Sequence, residues 1–130
     1  MRTAPLLLAL GLAVGLAGTA FADPSGLWKS EPNDKGRFIQ VSIEPCGPNF
    51  CGTIVESNSP KREELVGRAI IMDMAPAGEN RWEDGSIWAP DDDETYDAKM
   101  ELLDANRLEV SGCALLGLVC RGQIWTRVDG

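Results

Sequence analysis

Carboxylates and indoles stand together in one stretch of this chain, Trp82-Glu83-Asp84-Gly85-Ser86-Ile87-Trp88. An acid, a base and a flat apolar platform are what a sugar-cleaving site combines. Adjacent strand residues point to opposite faces, however, so Glu83 and Asp84 do not act on one substrate, and a partner for either must come from another strand. The chain contains no histidine, which removes Ser-His, Cys-His and histidine-metal chemistry. Asp91, Asp92, Asp93 and Glu94 offer the hard oxygen ligands that calcium takes, yet they lack the D-x-[DN]-x-[DN]-G order of a calcium loop. A charged turn tip is the simpler reading. No catalytic residue, metal or cofactor is therefore assigned, and the protein is expected not to be an enzyme. Binding is what remains. Four tryptophans and one tyrosine occur in 130 residues. Trp82, Trp88, Tyr96 and Met100 are expected to wall a cup for a small, partly apolar or aromatic ligand. The plainer alternative is that they fill the core. The alternative function is a protein-interaction or inhibitor module that meets a cationic partner through Asp91, Asp92, Asp93 and Glu94.

These residues lie on two strands around an acidic turn. Tyr96, Ala98, Met100 and Leu102 share one face, while Asp97, Lys99 and Glu101 share the other. That period of two marks a half-buried strand. The rest of the chain repeats the unit, with strands expected over 26–30, 37–44, 52–56, 68–74, 81–88, 96–103, 107–113 and 121–128. Residues 68–74 are apolar on both faces, so a cover is expected over them, supplied by a loop or single helical turn at 60–65. Ala75-Pro76-Ala77-Gly78 reads as a turn, and Gly85 as a bulge or bend within its strand. Even spacing without long crossovers favours an all-β fold, an eight-stranded antiparallel up-and-down β-barrel. A two-sheet β-sandwich is the competing architecture.

The first residues read as a leader. Arg2, an apolar run over 6–20 and Ala20-Phe21-Ala22 together make a signal peptide over 1–22, leaving a single domain over 23–130. The apolar run falls short of the roughly 20 residues that span a bilayer comfortably. Removing the leader takes Arg2 with it, so the net charge becomes 11 − 20 = −9. Such a surface repels nucleic-acid phosphates and anionic headgroups. Neither nucleic acid nor membrane insertion after cleavage is expected. Four cysteines in an exported chain point to two disulfides, for which three pairings are open. Cys46 with Cys51 and Cys113 with Cys120 is the favoured pairing, because each pair brackets a probable chain reversal. The protein is expected in the periplasm or outside a bacterial cell.

A spaced set of residues carries a family resemblance. It comprises Gly26-x-Trp28, Val41-x-Ile43 before a Cys-Gly turn, Gly52-x-Ile54-Val55 and Arg68 before an apolar strand. It continues with Trp82-x-x-Gly85-x-Ile87-x-x-Pro90, Tyr96, Leu108-x-Val110-x-Gly112-Cys113 and Trp125-Thr126-Arg127. Together these resemble the small exported bacterial proteins of domain of unknown function family 2147, over nearly the whole mature chain. The resemblance implies a lipocalin-like β-barrel. Gly26-x-Trp28 and Arg127 are also similar to the lipocalin arrangement in which a guanidinium lies across an indole and plugs one barrel end. Structural closure is the expected role of Trp28 and Arg127, since an Arg over an indole contributes about 0.5–2 kcal/mol.

Overall fold

The alternating stretches become strands in a computed structural model that describes residues 23–128. The expected signal peptide, 1–22, lies outside the described residues. In order the elements are β1 (Gly26–Lys29), β2 (Ile39–Cys46), β3 (Asn49–Ser57), α1 (Arg62–Leu65), β4 (Ala69–Gly78), β5 (Arg81–Ala89), β6 (Glu94–Asp104), β7 (Arg107–Ala114) and β8 (Val119–Arg127). Each strand pairs antiparallel with the next, and β1 pairs with β8, so the sheet closes into an eight-stranded barrel and the sandwich is excluded. No helix among the described residues is long and apolar enough to cross a membrane.

Closure rests on two residues at opposite ends of the chain. Trp28 faces Arg127 across the β1–β8 seam, and the guanidinium carbon sits 4.3 Å from the centroid of the Trp28 ring. Trp28 is fully buried, and its Nε1–H donates to the Pro24 carbonyl at 2.9 Å. The Arg127 guanidinium donates to the carbonyls of Ala105 at 2.7 Å and Ser25 at 2.8 Å. One charged fork thus ties the N-terminal segment, the β6–β7 turn and the last strand together. Gly26 is part of this device. Its φ is +135°, and a Cβ there would lie 2.5 Å from the Arg127 Nη1. The glycine two residues before the tryptophan leaves the path the guanidinium needs.

Inward residues fill the half of the barrel next to this plug. Val41, Ile43, Ile54, Ile71, Met74, Met100 and Leu108 are buried with Trp28. The expected alternation holds on β6, where Ala98 and Met100 are buried, and on β7, where Leu108 and Val110 are.

The strand over 68–74 is not covered on both faces, which corrects the reading above. Ala69 and Asp73 are exposed, and α1 is tied to β3 by an ion pair between Arg62 and Glu56. Consecutive burial of Ile70 and Ile71 comes from a bulge instead. Gly52 stands opposite Ile71 and Thr53 opposite Ala69, which leaves Ile70 as the extra residue. Residues 75–78 are likewise strand rather than turn: Pro76 pairs with Trp82, a shift in register follows, and the reversal comes at Asn80 with φ +60°. Gly85 does sit at a register shift, and a Cβ there would come within 2.5 Å of the Met72 carbonyl oxygen. The acidic turn is shorter than expected, because Glu94 already belongs to β6.

Both disulfides join the local pairs. Cys46–Cys51 spans the β2–β3 turn with Cα atoms 5.8 Å apart, and Cys113–Cys120 clasps the β7–β8 hairpin with Cα atoms 4.0 Å apart. Two structural disulfides suit a chain that folds in an oxidising compartment.

The closure makes a quantitative expectation. Arg127→Met should lower unfolding stability by about 2–4 kcal/mol, from the lost indole contact and the lost charged hydrogen bonds. Gly26→Ala acts on the same guanidinium, so urea titrations of both single variants and the double should show a loss smaller than the sum.

Candidate functional site

The barrel end away from the plug is open. The β1–β2, β3–β4, β5–β6 and β7–β8 connections ring a hollow of about 1020 Å³. β8 shapes one wall through a period of two, Val119, Arg121, Gln123 and Trp125 all lining the space. β7 adds Val110, Gly112 and Ala114, and Gly112 keeps the wall thin, since a Cβ there would press on Ile87 at 3.2 Å. Ile39, Ile70 and Ile87 line it elsewhere, with Leu65 contributed by α1. Trp125 is 2% exposed, and its Nε1–H donates to the Gln123 side-chain Oε1 at 2.7 Å.

Above the β1–β8 pairs the seam is held by side chains. β1 ends at Lys29, while β8 runs on toward the mouth. The Glu31 carboxylate accepts the Ile124 backbone N–H at 2.6 Å, and the Glu31 N–H donates to the Gln123 side chain at 3.2 Å. A short first strand thereby leaves a closed wall rather than a slit.

Of the four side chains expected to share one wall, the hollow brings together Trp88 and Tyr96. Trp82 and Met100 lie elsewhere. They face each other across β5 and β6, are 4% and 2% exposed, and sit toward the filled end, where Trp82 meets the edge of Phe50 at 6.1 Å between ring centroids. Facing inward does not bring Trp82 to the same end as Trp88, because the run of β5 from one to the other covers roughly 20 Å along the barrel.

Trp88 and Tyr96 are each tied to the acidic turn. The Trp88 Nε1–H donates to Asp93 at 2.9 Å, and the Arg68 guanidinium stacks 3.7 Å over its ring. The Tyr96 hydroxyl donates to Asp92 at 2.7 Å, and Asp92 also accepts the Glu94 N–H at 3.2 Å. Asp91 and Asp92 line the mouth. Two of the four acidic side chains, Asp92 and Asp93, are therefore committed to shaping the rim rather than waiting for a cationic partner.

Sequence reading missed Arg121 and Gln123. The signal was present, since counting back in twos from Trp125 reaches both. A purely apolar criterion passes them over. Among the described residues Arg121 forms no ion pair, so its donors are open to a ligand. The tightest group of metal-type ligands among the described residues is Cys46, Cys51 and Asp73, but those two sulfurs are spent on each other.

The wall carries groups of the kind that recognise a ligand. It offers apolar surface below, with a guanidinium and a carboxamide beside it. The Tyr96–Asp92 bond also sets a titration: Asp92 accepts the hydrogen bond of the neutral phenol and holds the Tyr96 pKa above its ordinary value of 10.0, with Arg121 pulling the other way. Because the neutral phenol is favoured by the fold, this contribution is present below pH 10 and is lost as pH rises through the raised value. Tyr96 is the single tyrosine of the chain. Its absorbance titration should thus show a midpoint above 10 that returns toward 10 in Asp92→Ala.

Comparisons place this geometry among known proteins. The profile of the family described as "Uncharacterized protein conserved in bacteria (DUF2147)" matches residues 26–127. No curated protein matches the chain. A similar solved structure is protein HP1028 from the human pathogen Helicobacter pylori, described as belonging to the lipocalin family. It is 15% identical, with a TM-score of 0.68, over 82% of this chain and 84% of that one. At that identity the likeness concerns the fold. With the profile covering every strand of a closed eight-stranded barrel, the chain belongs to the bacterial family DUF2147 and has a lipocalin-like fold.

Proposed function

We propose that this protein is an exported, non-catalytic binding protein of the periplasm that holds one small, partly apolar ligand in the open half of its barrel. The observation that carries the reading is the uneven filling of the interior. One half is packed around Trp28, while the other encloses about 1020 Å³ under a rim where Trp88, Tyr96 and Trp125 are held by hydrogen bonds. That volume lies at the upper end of what ligand sites occupy, and the barrel size is that of folds that hold one small ligand. The mixed wall refines the ligand class. Ile70, Ile87, Val110 and Trp125 suit a hydrocarbon or ring system, and Arg121 with Gln123 suits an acidic or hydrogen-bonding end group. The leader over 1–22 and the two disulfides support export.

A matched pair of fluorescent probes, a long-chain acid and the alcohol of the same length, tests the proposal. Both should bind saturably, with energy transfer from the tryptophans. Failure of both to bind would remove the reading. Arg121→Met should then weaken the acid by about tenfold and leave the alcohol within twofold, because only the acid loses a charge-assisted bond. An equal loss for both probes would instead make Arg121 a steric element of the wall.

A further inference from the structure

The β7–β8 hairpin ends in Leu115-Leu116-Gly117-Leu118-Val119, and its leucines are left in water. Leu115 is 68% exposed, Leu116 99% and Leu118 84%. A cluster of large apolar side chains this open marks a surface that meets something. The tip is also held in shape. Cys113–Cys120 clasps its base, and the Gly117 and Leu118 N–H groups donate to Ala114 and Leu115 carbonyls at 3.1 Å each. Leu115 and Leu116 both adopt positive φ, 55° and 57°, a region costly for residues with a Cβ. A solvated turn has no need of leucine at such positions.

The tip's location says what it meets. Ala114 and Val119, at the base of the tip, both line the hollow, so the leucines project from the rim of its mouth. Charge singles out the same face. The lining contains Lys35, Arg37, Lys61 and Arg121 against Glu31, Asp34, Asp91 and Asp92, four of each sign. The remaining residues from Asp23 onward include 11 − 4 = 7 basic and 20 − 4 = 16 acidic ones. The lining of the mouth is thus balanced in charge, and even with Asp93 and Glu94 of the adjoining acidic turn this face stays closer to neutral than the rest of this acidic protein. A second copy is a poor occupant, because a stable interface takes roughly 20–30 residues a side and the tip is the short run Leu115-Leu116-Gly117-Leu118-Val119. A bilayer needs no matching shape.

Against the expectation drawn from net charge, we propose that the mouth of the barrel docks on a zwitterionic lipid surface, with Leu115, Leu116 and Leu118 inserted at the headgroup–acyl boundary. The hollow then opens onto the lipid phase, and a ligand with an apolar body passes between the two without crossing water. This docking deepens the carrier reading, and its delivery role rests on that reading; the insertion itself does not.

Sedimentation with phosphatidylcholine vesicles tests the docking, using protein that starts at Asp23 and contains the whole closed barrel. The wild-type protein should partition to the vesicles with little dependence on salt. Leu116→Ser/Leu118→Ser should partition at least about tenfold less, since lipid-surface binding scales with the apolar area inserted. Its unfolding midpoint should be unchanged, because these side chains touch water. Uptake of the fluorescent acid from solution by the same variant should also be unchanged, which separates failure of docking from failure of the carrier reading. The proposal falls if wild type stays in the supernatant, if both proteins partition equally, or if partition needs anionic lipid and disappears with salt. It falls too if the serine substitutions instead abolish a dimer seen in sedimentation velocity.

Discussion

Everything in this molecule depends on one guanidinium lying across one indole. Arg127 over Trp28 joins the last strand to the first, and its donors reach the N-terminal segment and the β6–β7 turn besides. A meander of short strands has two free edges, each an invitation to pairing with other chains. Closing it removes both edges. The contact also fixes which end of the barrel is solid, because a buried tryptophan and a charged plug cannot share that end with an open mouth.

From that constraint the division of the interior follows. Near the plug, large side chains gather in one buried cluster that includes Trp28, Ile43, Met74, Trp82, Met100 and Leu108. Toward the other end the inward positions change character. Gly112, Ala114 and Val119 are small, Arg121 and Gln123 are polar, and the space between the strands stays open. The rim is then stiffened by polar contacts rather than by packing. Asp92 and Asp93 hold Tyr96 and Trp88, and Glu31 bridges the seam where β1 has already ended. Packing makes one half of the barrel, and hydrogen bonds frame the other.

The architecture was largely legible in the sequence because a period of two is a robust signal. Alternation over 96–102 and 107–113 puts the same residues inward in the structure, and turn-forming residues mark most reversals. Where the reading slipped, backbone irregularities were responsible. The bulge at Ile70 makes two neighbours buried without a covering segment, and Trp82 and Trp88, though both inward, stand at opposite ends of β5. Pro76 within a strand was read as a turn because proline usually ends a ladder, but here a register shift follows it. The site was less legible than the fold. Aromatic density drew attention to Trp82 and Met100, which lie in the filled half. Arg121 and Gln123 escaped because a charged inward residue looks like a surface one until the barrel is closed around it.

One half of this barrel is a plug and the other a receptacle, a division that amide chemical-shift mapping with a long-chain carboxylic acid can check. Saturating shifts are expected along Val110, Gly112, Ala114, Arg121, Gln123 and Trp125, with Trp28, Ile43 and Arg127 unmoved. Shifts gathered at the Trp28 end, or confined to the outer face of the strands, would overturn the division.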